Sequence, residues 1–470
     1  MHLSIRRGVA PLLTVFALCA AASAACAQAV PPLDSVYRAD ANRLIQAALS
    51  DSFGWKRLAT LTDRFGHRLS GSRALEDAID WSLDQMRRDG LQNVRGEPVT
   101  VPHWVRGRES ATLLSPRETP LHMLGLGGSV GTPPEGITAD VIVVGSEEEL
   151  AARGAEARGK IILFDVPFTS YREVARWRSL GAIAAAKAGA AAALIRSVAS
   201  FSMQTPHTGS MRYYDTTVVR VPIAALSVED AMMLHRMQNR GERVRVRLMM
   251  GAQTLPDAQS RNVVAEIVGR EKPDEVVVIS GHLDSWDVGT GAMDDAGGSV
   301  AAWEAVRLMQ RLGLRPRRTV RVVLWTNEEN GIRGGTTYRD THRAQLDRHV
   351  LAIESDNGVF RPFGFRFQGS AAGLAMMQQV ARLLEPIGAG RMVEGPGEAD
   401  VGPMIALGVP GLALDVDGTK YFWYHHSDAD TIDKLDPQEF AKCVAAMAVA
   451  AYVVADMPGT LPRQVPAPAN

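Results

Sequence analysis

Cysteine is scarce in this sequence: three occur among 470 residues, at positions 19, 26 and 443. Cys19 and Cys26 fall in an amino-terminal segment that is typical of a secretion signal, which leaves Cys443 alone in the mature chain. A single thiol excludes an intrachain disulfide and a thiolate metal cluster. Any metal that the mature protein binds must therefore be held by histidine, aspartate and glutamate.

Excess charge and long hydrophobic runs are lacking as well. Lysine and arginine number 51 and aspartate and glutamate 52, a formal net charge of -1, so the charge balance predicts no nucleic-acid partner. After the amino-terminal segment, no run approaches the roughly 20 apolar residues of a membrane-spanning helix. The hydrophobic share of 46% and the charged share of 22% are those of a globular protein, and the length allows about two to four domains.

The amino-terminal segment has the three parts of a secretory signal. Arg6 and Arg7 supply a positive start, residues 9–22 form an apolar core, and small residues at 25–27 precede Gln28. We therefore predict a signal peptide over residues 1–27, cleavage after Ala27, and a secreted or periplasmic protein with no membrane contact after cleavage.

Two alternatives remain for this segment. It could stay as a membrane anchor, although it is short for a span of about 20 residues. Cys26 could carry a lipid, although Ser23 stands where a lipoprotein signal usually has an aliphatic residue.

The mature chain divides into parts of different texture. The predicted parts are residues 28–105, the amino-terminal part of a catalytic domain; residues 106–250, an insertion; residues 251–460, the rest of the catalytic domain; and residues 461–470, a proline-rich disordered tail.

In the first part, "ALEDAIDWSLDQMRRDG" places Leu75, Ile79, Leu83 and Met86 on one helical face and ends at Gly90. In the second, short strand-like runs such as "ADVIVVG" and "GKIILFDV" alternate with helical stretches. Because this part carries few clustered acids or histidines, we interpret it as a non-catalytic insertion. It could also be a continuous part of one large sheet.

In the third part, the continuous apolar runs "EVVVIS", "TVRVVLW", "HVLAIES" and "VPGLALD" alternate with helical patterns. Continuous apolar strands indicate an α/β fold whose sheet is covered on both faces. Sheets of this kind bind ligands at the carboxyl ends of their strands.

Acids and histidines follow four of these strands. They are His282, Asp284, Asp287, Asp294 and Asp295 in "SGHLDSWDVGTGAMDDAGG"; Glu328 and Glu329; Asp356; and His425, His426, Asp428 and Asp430 in "YHHSDADT". Clustered unpaired carboxylates repel one another and are costly to desolvate, so the candidates for a neutralising partner are a metal, a basic side chain or solvent. Convergence of four strand ends favours a shared cation. Surface ion pairs and helix caps are the alternative, and we expect Asp287, Asp428, Asp430 and His425 to be supporting or exposed.

Mixed imidazole and carboxylate ligands without thiolate suit zinc or a neighbouring divalent ion, whereas calcium prefers oxygen alone. If Glu328 and Glu329 extend from their strand, their side chains diverge, so one can bind metal while the other acts as a base. Asp284, two residues after His282, could steer that imidazole.

The stretches "GHLDSWDVGTGAMDDAGG", "NEEN", "ESDNG" and "YHHSDADT" resemble the co-catalytic zinc exopeptidases of the aminopeptidase and glutamate carboxypeptidase type. The resemblance implies a mixed, mostly parallel sheet sandwiched by helices, with residues 106–250 as a protease-associated domain, and a possible homodimer. It also implies two zinc ions per chain, with manganese or cobalt as other possible ions, and a cis peptide between Asp294 and Asp295. The implied metal ligands are His282, Asp294 (bridging), Glu329, Asp356 and His426; the implied catalytic residues are Glu328, the general base, and Asp284, the acid that orients His282.

Three functions are compatible with these features. The first is a secreted or periplasmic zinc carboxypeptidase or dipeptidase acting on short peptides, the second is an aminopeptidase of the same fold, and the third is a non-catalytic binding protein of this fold. Loss of ligands would indicate the third, and every ligand is present. An exopeptidase must recognise a free terminus, and the sequence does not identify the group that does so.

Overall fold

The computed structural model describes residues 1–2 and 32–464. The predicted signal peptide and most of the predicted tail lie outside the described residues. The strands of the described part are β1 Gln92–Val105, β2 Glu109–Ser115, β3 Thr119–Leu121, β4 Met123–Gly125, β5 Ile137–Val144, β6 Ile161–Phe164, β7 Ala192–Arg196, β8 Ile223–Leu226, β9 Arg245–Met250, β10 Gln253–Ile267, β11 Lys272–His282, β12 Arg318–Trp325, β13 His349–Glu354, β14 Pro362–Gln368, β15 Arg391–Glu394 and β16 Gly411–Val416.

Helices precede the first strand and connect the later ones. They are α1 Leu33–Val36, α2 Arg38–Ser50, α3 Phe53–Phe65, α4 Arg73–Arg88, α5 Glu147–Ala152, α6 Gly154–Ala157, α7 Tyr171–Ala175, α8 Trp177–Lys187, α9 Val228–Asn239, α10 Gly297–Arg311, α11 Arg333–Thr341, α12 Ala371–Arg382, α13 Gly402–Ile405, α14 Tyr421–Tyr424 and α15 Pro437–Asp456. A short π-helical turn, Ala292–Ala296, precedes α10.

The larger structural unit is an eight-stranded mixed sheet in the order β1-β10-β12-β11-β13-β16-β14-β15. Its central strands β12, β11, β13 and β16 are parallel neighbours, and β1, β10 and β14 make the antiparallel pairs. The predicted α/β class with a mixed sheet between helices is confirmed. Because the four central strands run the same way, their carboxyl ends meet at one edge.

Both faces of this sheet are buried, as the continuous apolar runs predict. In β11, Val277 and Ile279 join the large core formed with α2, α4, α10 and α15. Val276 and Val278 of the same strand point to the other face, where Tyr338 of α11 packs. Alternate residues of one strand thus serve two cores, which explains why the strand has no polar side.

The helix predicted from the 3.6-residue pattern is α4. Its four predicted core residues are buried, and the Ser72 hydroxyl accepts a hydrogen bond from the Leu75 amide as an amino-terminal cap. The sequence pattern does not predict the strand that follows α4. This strand is β1, which pairs with β10 from Gln92 to Val105 and brings the two ends of the intervening segment together.

Residues 109–250 contribute a second eight-stranded sheet, in the order β3-β2-β9-β5-β6-β7-β8-β4. It is separate from the first, so the alternative of one continuous large sheet is wrong. An ion pair and a close packing contact connect this part of the chain to the loop after β11. Arg106 donates from Nε and Nη2 to the Asp287 carboxylate at 2.8 and 2.5 Å, and Gly127 leaves room for the Trp286 ring, which a Cβ would approach to 2.0 Å.

Among the described residues, helix α15 is long and apolar enough by composition to cross a membrane, so the prediction that no later run has this length and composition is wrong. In the structure, 83% of its most apolar window is buried. It packs against α2 and α10 in the main core. Its apolar character is therefore that of a core helix.

Candidate metal centre

The predicted site residues meet at the carboxyl edge of the four parallel strands. His282 ends β11, Asp356 follows β13, and Glu328 and Glu329 lie in the turn after β12. His425 and His426 follow α14, which itself follows β16. Parallel strand direction alone brings together residues that are far apart in the chain.

Two clusters form, and Asp294 belongs to both. In the first, His282 Nε2 lies 3.1 Å from Asp294 Oδ1 and 3.2 Å from Asp356 Oδ1. In the second, His426 Nε2 lies 3.2 Å from Asp294 Oδ2 and 3.0 Å from Glu329 Oε2. One carboxylate therefore faces a histidine on each side, the arrangement expected of a bridging ligand.

His425 is closer to this centre than predicted. Its Nε2 lies 3.3 Å from Asp294 Oδ2, and its ring stacks on that of His426 with centroids 3.5 Å apart. Of the two expected positions, supporting or exposed, the exposed one is wrong, because His425 is buried. Its position allows either a ligand or a supporting role.

The turn that carries Asp294 is fixed by its neighbours. The Asp294–Asp295 peptide is cis, as the resemblance implies. The Asp430 carboxylate accepts hydrogen bonds from the amides of Met293 and Asp294 at 2.7 and 3.1 Å, so Asp430 supports the site. Asp295 accepts from the His282 amide at 3.1 Å.

Asp284 contacts the site in an unexpected way. His282 Nδ1 bonds to the main-chain oxygen of Asp284 at 3.0 Å, whereas the Asp284 carboxylate lies 3.8 Å from that nitrogen. The carboxylate instead accepts from the amides of Glu328 and Glu329 at 3.0 and 3.4 Å. Asp284 thus links the His282 strand to the turn that carries both glutamates.

Glu328 and Glu329 diverge, although by a turn rather than by extension of the strand. Glu329 Oε1 accepts a hydrogen bond from the Trp286 amide at 3.1 Å, and Glu329 Oε2 faces His426. Glu328 lines the cavity above the centre. Burial, followed by the nearby charge of Asp356, raises the pKa of Glu328 to about 8.

The electrostatics of the centre are those of a cation site. Burial, followed by the charge of Asp294, raises the pKa of Glu329 well above its usual range. Burial also opposes ionisation of Asp294, yet the nearby imidazoles of His282 and His426 hold its pKa well below the usual range. Asp294 Oδ2 is buried without a hydrogen-bond partner. Among residues 32–464, no lysine or arginine pairs with the three predicted carboxylate ligands, whose ion-pair partners are histidines.

These donors fit zinc. Imidazole and carboxylate groups are the ligands that zinc binds in proteins. Here they are buried and converge, and one carboxylate oxygen has no hydrogen-bond partner. In each of two groups, Asp294 with His425 and His426, and Asp294 with His282 and Asp356, the potential ligand atoms all lie within 4.8 Å of one another.

The cavity over the centre has a volume of about 280 Å³. Sequence reasoning missed much of its lining: Tyr171, Arg178, Ser210, Asn357, Glu398, Tyr421 and Phe422. The first three come from the second sheet and its helices. Residues 106–250, which the sequence pattern identifies as a non-catalytic insertion, therefore supply one side of the cavity.

The loop between β7 and β8 forms hydrogen bonds with the main chain of His425 and His426. His207 Nδ1 donates to the His425 carbonyl at 2.6 Å, and the Thr208 amide donates to the His426 carbonyl at 2.9 Å. His426 has a left-handed backbone with a φ of 62°, a conformation that a non-glycine residue adopts at some cost. These two hydrogen bonds help to keep the pair in that geometry.

Comparisons with known proteins agree with the site. The sequence profile of peptidase family M28 matches residues 262–451. Carboxypeptidase Q of Mus musculus is 49% identical over 409 residues, which are 87% of each chain. The solved structure of a peptidase M28 precursor from Shewanella amazonensis SB2B is 37% identical, with a TM-score of 0.89, covering 92% of this chain and 100% of that one. The zinc aminopeptidase BSAP of Bacillus subtilis shares the fold at 19% identity and a TM-score of 0.65, over 87% of this chain and 96% of its own.

Fold and site together define a zinc-dependent metallopeptidase of the exopeptidase type. The chain belongs to peptidase family M28.

Proposed function

We propose that the protein is a di-zinc carboxypeptidase or dipeptidase acting on short peptides. The observation that carries the proposal is the sharing of Asp294 between two histidine-carboxylate clusters. In this proposal, His282 and Asp356 would hold one zinc, Glu329 and His426 would hold the other, and Asp294 would contribute to both positions. Manganese or cobalt could occupy the same donors.

Bound zinc supplies Lewis acidity, which lowers the pKa of water and polarises the scissile carbonyl. The protein's own contribution is Glu328, whose carboxylate lines the cavity without an ion-pair partner in the part of the chain that the structure describes. Glu328 takes the proton of the attacking water and delivers it to the leaving amine. The Asp284 carboxylate accepts hydrogen bonds from the main-chain amides of Glu328 and Glu329, so Asp284 acts as a positioning residue.

The choice of carboxypeptidase or dipeptidase follows the relative named carboxypeptidase Q, which is 49% identical. An aminopeptidase is the second candidate. It is favoured by Glu398 on the cavity surface, since a carboxylate is the group that would bind a free amine. A non-catalytic role finds no support, because every predicted ligand is present and convergent.

Metal removal and a panel of blocked dipeptides test the proposal together. We expect thorough chelation to abolish peptidase activity and zinc to restore it, whereas a thiol reagent leaves activity unchanged because Cys443 is buried. Loss of activity on C-terminal amides indicates a carboxypeptidase, loss on N-acetyl peptides an aminopeptidase, and loss on both a dipeptidase. Full activity after complete metal removal would refute the zinc mechanism.

We also propose that the protein is exported. The signal-like residues 1–27 and a relative described as a precursor support this location. Amino-terminal sequencing of the exported protein should begin at Gln28. A first residue of Met1 on a membrane-bound active form would contradict export with cleavage, and a lipid on Cys26 would indicate the lipoprotein variant. The protease-associated assignment of residues 106–250 and a homodimer stay predictions.

A further inference from the structure

Arg178 is an unpaired cation on the cavity surface. The residue is 4% exposed, and it belongs to α8 on the second sheet. Its Nη1 donates to Tyr171 Oη at 3.0 Å, whereas Nε and Nη2 are buried without any hydrogen-bond partner. Within residues 32–464, no carboxylate pairs with it.

The other buried arginines of the described chain are satisfied. Arg57 pairs with Asp89 at 2.8 Å, and Arg318 pairs with Glu275 at 2.5 Å and bonds to main-chain carbonyls. Arg68 donates to four main-chain carbonyls. A buried charge without partners is costly, so we expect Arg178 to bind an anion.

The fold makes room for this guanidinium. Gly209 faces it so closely that a Cβ there would lie 2.1 Å from Arg178 Cζ. The Tyr171 ring lies 5.4 Å from Cζ on another side, and Tyr171 in turn packs edge-on against His425 with ring centroids 5.1 Å apart. The guanidinium is thus held by packing next to the histidine pair, and Arg178 lines the cavity.

The two free nitrogens are the pair that binds a carboxylate with two hydrogen bonds. Nε and Nη2 form one edge of the guanidinium plane, and their N–H groups point the same way. The chain shows this geometry elsewhere: Arg382 uses Nε and Nη2 to bind both oxygens of Asp34 at 3.0 and 3.1 Å, and Arg106 binds Asp287 in the same way. At Arg178 that edge has no hydrogen-bond partner, and the residue lines the cavity.

We propose that Arg178 binds the α-carboxylate of the substrate's carboxy-terminal residue. The inference rests on the proposed peptidase function and deepens it, since it assigns the terminus-recognition group to the second sheet. A cavity of about 280 Å³ lies just below the usual range for ligand pockets, about 300–1,000 Å³. The substrate class is therefore short peptides, down to dipeptides, with a free carboxyl terminus.

The test compares the metal-loaded wild type with Arg178→Gln and with the control Arg176→Gln. Arg176 is exposed and two residues away, so the control removes the same charge from the same region. Substrates are a dipeptide with apolar side chains, its C-terminal amide, and a dipeptide amide that ends in glutamate. A dipeptide with a reduced scissile bond, as free acid and as amide, measures binding without turnover.

We expect wild type and Arg176→Gln to prefer the free acid. Arg178→Gln should lose about 10²-fold in kcat/KM on the free acid, the order expected when one member of a buried ion pair is removed. Its activity on the amide should change less than about threefold, so the preference disappears. Arg178→Lys, which keeps the charge but not the two-pronged edge, should recover part of the preference.

Equal loss on acid and amide, with metal content unchanged, would overturn the proposal. A second result would also overturn it: the wild type prefers the glutamate-ended amide over the other amide, and Arg178→Gln abolishes this preference. Arg178 would then bind a substrate side chain instead of the terminal carboxylate. If Arg178→Gln does not fold, the reduced dipeptide decides: equal wild-type affinity for its acid and amide refutes carboxylate recognition. A wild type that cleaves no peptide would instead refute the proposed function and leave the binding comparison intact.

Discussion

Replacing Glu328 with glutamine is expected to lower kcat by about 10²–10⁴-fold, the usual contribution of a general base, while zinc content stays near that of the wild type. Glutamine keeps the size of the side chain but cannot accept the proton of the attacking water. Metal should remain, because the Glu328 carboxylate lines the cavity and makes no contact with His282 or His426 in the described structure. Metal analysis of the purified variant, with steady-state kinetics, measures both quantities.

The matched control is Glu329→Gln, the same substitution at the neighbouring residue. Glu329 Oε2 lies 3.0 Å from His426 Nε2, so this variant should lose metal from one position, and excess zinc should partly restore activity. The contrary pattern, in which Glu328→Gln loses metal and Glu329→Gln keeps it without activity, would exchange the two roles. The zinc hydrolase mechanism would survive that exchange.

The sequence predicts this centre well because parallel strands make a simple geometric rule. Apolar runs locate β11, β12, β13 and β16, and parallel pairing forces their carboxyl ends to one edge. Acids that follow those runs must then be neighbours. The pattern also predicts the two buried faces of the sheet, since alternate residues of a strand face opposite sides.

The rule stops where position depends on loops or on another part of the chain. Glu328 and Glu329 diverge because of a turn held by Asp284, and strand periodicity does not describe a turn. Arg178 cannot be told from Arg172 or Arg176 by its local sequence. It becomes distinctive only when the second sheet packs beside α14, which places Tyr171 against Phe422 with ring centroids 4.9 Å apart.

The adjacent histidines show the same limit. A motif can indicate that one of two neighbouring histidines binds metal, but both rings reach Asp294 within 3.3 Å. Burial favours the neutral form of both rings, the form that binds a metal. Burial first, and then the neighbouring His426, lowers the pKa of His425 well below its usual range, and burial lowers the pKa of His426 to about 4.

Geometry distinguishes the two and leads to the last prediction. His426 Nε2 faces two carboxylates, those of Asp294 and Glu329, whereas His425 Nε2 faces Asp294 alone. His426→Ala should therefore lose about one zinc per chain and about 10²–10⁴-fold in kcat/KM, because a catalytic metal contributes several kcal/mol. The matched variant His425→Ala should keep both zinc ions and lose less than about tenfold in kcat/KM, since His425 packs edge-on against the rings of Tyr171 and Phe422. Zinc content and kcat/KM of both variants decide the assignment, and loss of zinc in His425→Ala with retention in His426→Ala would make His425 the ligand.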